Sequence, residues 1–176
     1  VKHWDHTVPA EGVDLGVWMA AQADPEIVFV DANSLVVDFP CWEPRSRGDL
    51  AAPQNAPYSG RLRFSGVQAH RVLDGELGPY RMVRGNFADP ECLFEVRLSE
   101  YDASTKMARE PSWLPSVRHE HDPRRWFARL DAWNPKHAPP PDLPHLARHF
   151  IVDGRNSYVE VLSEKFEFER VPRVAA

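Results

Sequence analysis

Two extended runs between Arg148 and Val171 flank Asp153-Gly154-Arg155-Asn156. Glycine reaches the positive φ that tight hairpin turns demand, and Asp-Gly between such runs is among the stronger short-range hairpin signals. The pattern predicts a β-hairpin with Gly154 at positive φ, so part of the fold is antiparallel sheet. The second arm carries a conflict. Val159 and Val161 fall on one parity and Phe166 and Phe168 on the other, so a straight strand would turn half its apolar side chains to water. A bulge near Ser163-Glu164 restores the facing, while a capping box at Ser157-Tyr158-Val159-Glu160 would start a helix instead. The strand-forming side chains and the short turn favour the bulged strand.

Elsewhere, Val13 to Ala23 spaces Leu15, Trp18, Met19 and Gln22 as a short helix stopped by Asp24-Pro25. Ile27 to Val30 and Ser34 to Phe39 predict a second hairpin joined at Asp31-Ala32-Asn33. Residues 43–58 read as an exposed loop. In Arg61-Leu62-Arg63-Phe64 the apolar pair shares one face; Ser65-Gly66 then reads as a bulge, with Val67 to Leu73 continuing the strand. Tyr80 to Arg84 predicts a short strand. Cys92, Phe94, Val96 and Leu98 point inward and Glu95, Arg97 and Ser99 outward, as in a half-buried antiparallel strand. Residues 103–122 and 134–144 read as exposed loops, the second stiffened by Pro139-Pro140-Pro141. Between them Asp122-Pro123 supplies an N-cap and a first-turn proline, and Trp126, Phe127, Leu130 and Trp133 share one helical face. A strand competes there, but the start and stop signals favour a helix. The expectation is one α+β domain over residues 1–176, mainly β. Its antiparallel sheet is curled or partly closed, with one or two helices and long Pro-rich loops, in keeping with 17 prolines.

Charge bears on partners. The chain of 176 residues has a net charge of −5, concentrated at residues 1–58, where nine acidic side chains face three basic ones. Such a surface repels nucleic acid and would steer a basic protein partner, although a solvated acidic surface explains it as well and is the favoured reading. Hydrophobic content of 43% is that of a globular protein, and no apolar run approaches the ~20 residues that cross a bilayer. Val1-Lys2-His3-Trp4-Asp5-His6 lacks the apolar core of a signal peptide, and Cys41 and Cys92 sit in apolar contexts as buried free thiols. The expected setting is cytoplasmic.

His119 and His121 are the candidate metal ligands, because an i, i+2 pair in an extended segment projects to one side. His3, Asp5 and His6 form a second cluster. Such short spacings recur in polar loops that hold no metal, so no cofactor is required and a divalent metal is the alternative. Both cysteines read as small buried hydrophobes, so neither is expected to be a good nucleophile. Glu160, Glu164, Glu167 and Glu169 could pair for acid and base work, though outward strand faces carry charge for solubility. Arg118, Arg124, Arg125 and Arg129, with Trp126 and Phe127, make a small basic and aromatic patch; a helix with a wet arginine face explains it as well. Trp42, Tyr58, Trp113, Arg125 and Tyr158 are the candidate binding residues.

Leu62-Arg63-Phe64-Ser65-Gly66-Val67, Asn156 to Leu162 and Phe166 to Glu169, together with the hairpin at Leu35 to Phe39, resemble small bacterial β-rich domains, some of them immunity proteins of contact-dependent toxin systems. The resemblance rests on hydrophobic pattern over about half the chain. It implies an immunity-like form for a non-catalytic module that engages a protein, an expectation that itself comes from the absence of a catalytic constellation together with the charge asymmetry. The competing expectation is a small-molecule or metal-dependent enzyme around His119 and His121, with Glu160 or Tyr158 as acid or base.

Overall fold

The structure, a computed structural model, describes residues 8–20, 23–44, 51–74, 80–83, 93–96, 123–132 and 147–173. Within them the chain forms β1 (Val8–Val13), β2 (Trp18–Met19), β3 (Glu26–Val30), β4 (Ser34–Trp42), β5 (Asn55–Ser65), β6 (Ala69–Asp74), β7 (Tyr80–Val83), β8 (Leu93–Val96), α1 (Pro123–Ala132), β9 (Arg148–Asp153), β10 (Ser157–Ser163) and β11 (Lys165–Pro172). The mainly β expectation holds, but there are two open sheets in place of one curled sheet. The first has the order β6-β10-β9-β8-β1-β7, antiparallel except where β1 and β7 run parallel. The second has the order β11-β5-β4, and β2 and β3 pair with successive stretches of the remaining β4 edge.

The parity conflict after Val161 is resolved by a change of sheet, not by a bulge or a helix. β10 ends at Ser163 and β11 begins at Lys165 in the other sheet. Val159 and Val161 therefore enter the central core from one sheet, while Phe166 and Phe168 pack against it from the other. Ser65-Gly66 is the matching corner on the partner strand. β5 pairs with β11 and β6 with β10, so one long antiparallel ribbon runs through both sheets. The corner is closed by Glu164 N donating to Ser65 O at 3.1 Å and Gln68 N to Leu162 O at 2.8 Å. Gly66 takes a φ of 64° there, which a side chain resists.

Leu35, Val37, Phe39, Leu62 and Phe64 of the second sheet meet Leu93, Phe150, Val152, Val159 and Val161 of the first. The opposite face of the first sheet buries Phe94, Ile151, Tyr158 and Leu162 against Trp126, Phe127 and Leu130 of α1. The order is thus sheet, sheet, helix. With apolar layers on both sides, every side chain of β8 is buried, Glu95 included, so the half-buried strand expected there is corrected. The expected α1 is present over Pro123–Ala132.

Three further expectations change. Residues 14–20 contain β2 and no helix: Asp14 Oδ1 accepts from Gly16 N at 2.8 Å, and Gly16 at φ 65° turns the chain out of helical geometry. The exposed segment at 43–58 is shorter, since β5 begins at Asn55 and Ala56 is buried. The hairpin of β9 and β10 forms as expected, but Gly154 is not at positive φ. A Cβ on Gly154 would collide with Pro25 and lie 2.5 Å from Ser157 O. Close approach of residues 24–25 is what this glycine serves. The segments 103–122 and 134–144 lie outside the described residues. Among those described, no helix is long and apolar enough to cross a membrane.

Candidate functional site

β3 forms part of an edge of the second sheet, and no described strand pairs with its outer side. The register slips between Ile27 and Phe29, making Val28 an extra residue. Ile27 packs on the core; beyond the slip, Phe29 lies opposite Val36 and Val30 opposite Leu35. Val28, Phe29 and Val30 are 44%, 51% and 48% exposed.

The face beside them is charged. Arg61 binds both oxygens of Asp38 at 2.7 Å, and Arg63 binds Glu169 at 2.9 and 2.7 Å. These pairs tie β4, β5 and β11 together across the sheet. The apolar edge is therefore a local departure. Asp24, Glu26 and Asp31 flank it, and the sequence from His3 to Pro44 contains no Lys or Arg. Asp24 Oδ1 accepts from Asn156 N at 2.6 Å and Ser157 N at 3.0 Å. Asp31 Oδ1 accepts from Asn33 N at 2.8 Å and Ser34 N at 2.7 Å. The backbone donors, led by Asn156 and Asn33 respectively, hold both carboxyls below the usual range, so both stay charged near neutral pH.

A second constellation lies between the first sheet and α1. Arg71 on β6 sits directly opposite Glu160 on β10 and donates Nε to its carboxylate. Its Nη1 and Nη2 donate to Asp131 on α1 at 2.7 and 3.0 Å, and its guanidinium lies 4.4 Å from the Phe127 ring centre. Glu160 is wholly buried, which corrects its expected place on an outward face; Glu164, Glu167 and Glu169 are exposed. Burial pushes the Glu160 pKa up, against the pull of Arg71. Burial also opposes the charge of Arg71, but Asp131 and Glu160 outweigh it and its pKa rises. Burial first and Glu160 second push the Tyr80 hydroxyl well up.

His149 is fully enclosed, its ring 4.6 Å from Trp126 and 5.4 Å from Tyr80 between centres, edge-on to both. Burial, then the charge of Arg71, drive its pKa well below the usual value, so the ring is neutral. Among the described residues, Trp126 Nε1 and both His149 nitrogens find no hydrogen-bond partner. The combined effect is to fasten α1 to the first sheet through one guanidinium shared by a sheet carboxylate and a helix carboxylate.

The residues singled out from sequence do not converge. Trp42 is half-buried opposite Trp18 on β2, and Tyr58 is half-buried with the Arg170 guanidinium 5.1 Å from its ring centre. Arg125 is on the exposed side of α1, and Tyr158 is buried beneath the same helix. Trp113, His119, His121, Cys92 and the cluster at His3 to His6 lie outside the described residues. Among those described, no group of three His, Cys, Asp or Glu is placed to hold a metal. Cys41 is buried, and burial raises its thiol to about 11, which suppresses the nucleophilic thiolate.

Both constellations had a trace in the sequence. A lone Glu inside Tyr158-Val159-Glu160-Val161-Leu162 is the mark of a charge carried inward with a partner. Ile27-Val28-Phe29-Val30 reads as an ordinary core strand, and its exposure depends on where β3 falls in the sheet. The chain matches no protein-family model, no curated protein and no solved structure.

Proposed function

We propose that this chain is a non-catalytic protein-binding module that meets its partner along β3. The observation that carries this is the exposure of three consecutive large apolar side chains, Val28, Phe29 and Val30, at a sheet edge beside an otherwise ion-paired face. An exposed apolar edge strand invites association with other chains, and a protein retains one where that association is its use. A cytoplasmic setting is the form of this reading that the terminus and the cysteines add, and an immunity-type partner is the form that the sequence resemblance adds.

Panning a phage-displayed library of random linear peptides against the full chain and its Phe29→Ser variant tests it. Sequences enriched on the parent and lost on the variant support the reading. Enrichment indifferent to Phe29, or none, removes it.

The enzyme alternative draws on the buried polar atoms around Glu160, Tyr80 and His149. Its residues face into a packed interlayer in which Arg71 already occupies Glu160. Metal analysis of untagged protein tests its metal-dependent form: stoichiometric zinc, iron or manganese lost on His119→Ala and His121→Ala substitution would favour it over the binding module.

A further inference from the structure

Resting on the binding reading, we infer that β3 receives an extended partner segment, apolar at its centre and carrying Lys or Arg at its flanks, which docks as an added strand. The backbone side of the argument is the edge itself. β3 uses one side to pair with β4, and no described strand uses the other, where an incoming chain can form main-chain hydrogen bonds. The side-chain part follows from register. Phe29 lies opposite Val36 and Val30 opposite Leu35, so consecutive apolar side chains stand on opposite faces of the sheet. An added strand would meet an apolar neighbour on either face, which suits alternation of small apolar residues in the ligand.

Charge selects the flanks. Asp24 and Glu26 precede the apolar run and Asp31 follows it, with no Lys or Arg among the described residues from 8 to 44. A segment ending in basic residues places opposite charge at both ends of the dock, which favours encounter and fixes position along the strand. The same pattern disfavours a second copy of this chain. Antiparallel apposition centred on Val28 would bring Asp31 of each copy beside Pro25, between Asp24 and Glu26 of the other, and the chains also share a net charge of −5.

Fluorescence anisotropy with two labelled synthetic peptides, Lys-Lys-Val-Ala-Val-Ala-Val-Lys-Lys and its counterpart with Glu for every Lys, decides the matter. The basic peptide is expected to bind about tenfold or more tighter than the acidic one, with the difference shrinking as salt rises from about 0.05 to about 0.5 M. Phe29→Ser should weaken it about tenfold by removing the central apolar contact, and Glu26→Lys should narrow the gap between peptides. Thermal melts check that both variants remain folded; because both positions are exposed, they should. Equal binding of the two peptides, or binding of neither, overturns the inference. In those cases Phe29-dependent sequences from the phage library show that the binding reading survives, and their absence shows that it falls too. Sedimentation revealing a dimer that Phe29→Ser dissolves would assign the edge to a second copy and overturn the basic partner.

Discussion

The side chain of Glu164 packs directly over Gly66: a Cβ added there would lie 2.5 Å from both Cγ and Cδ of the glutamate. Both strands of the long ribbon change sheets at this corner, so the backbone cannot easily relax. Gly66→Val should destabilise the fold by about 1–3 kcal/mol, from the positive φ and the overlap together. Adding Glu164→Ala should recover only the part of the overlap due to Cγ and Cδ, because the Cβ of residue 164 would still lie 2.8 Å from the added atom, and it leaves the backbone strain. Urea melts of the single and double variants measure both parts, and a Gly66→Val protein as stable as the parent would contradict the corner geometry.

Removing Arg71 strands a carboxylate. Arg71→Met should cost about 3–5 kcal/mol, because Glu160 has no exposed surface through which water could replace the guanidinium. Arg71→Met combined with Glu160→Leu should regain most of that. Asp131 is about half exposed, and Asp131→Asn should cost less than about 1 kcal/mol. Denaturant unfolding of the four proteins forms the comparison; if the double variant were no better than Arg71→Met alone, the buried-pair account would fail.

Acid should loosen the protein through His149. Its folded pKa lies below the ordinary 6.5, so under pH 6.5 the unfolded chain takes up a proton that the folded chain refuses. Its contribution to stability is therefore lost as pH falls through that window. Glu160 works the other way: its pKa is raised above 4.5, so its contribution is complete below 4.5 and lost as pH rises through the folded value. Urea unfolding of the parent and His149→Phe between about pH 7.5 and about pH 5 separates the two. The parent's stability relative to the variant should decline toward the acid end, and a constant difference would mean that the ring is not held neutral.

The thiol of Cys41 should be silent in the native state. In a Cys92→Ser background, a disulfide reagent at neutral pH should leave folded protein unmodified and react promptly in urea, because burial lifts the pKa to about 11 and blocks approach. Rapid native labelling would show that β4 opens at Cys41.

Much of the strand content was legible because alternation is a local property. Leu62 and Phe64, the hairpin at Asp31 to Asn33 and the helix opening at Pro123 all follow from side chains within a few positions of one another. What was misread depended on distant contacts. The opposed parities of Val161 and Phe166 cannot be reconciled without a second sheet to receive the phenylalanine. Gly154 passes for a turn glycine until Pro25, more than a hundred residues earlier, is seen against it. The candidate surface has the same character. Phe29 and Phe39 belong to equally apolar runs, yet one is half exposed and the other buried, and only the order of strands distinguishes them.

The ribbon also sets how the protein is made. Residues 58–65 and 69–74 find their partners in residues 157–172, roughly a hundred positions later, so a long loop must close before either sheet is complete, a topology that folds slowly. On the ribosome, β4 and β5 are synthesised early and wait with one flank of β5 open until the final strands emerge. During that interval the apolar strands of the future core lack their partners, which opens the chain to association with its neighbours before it is folded.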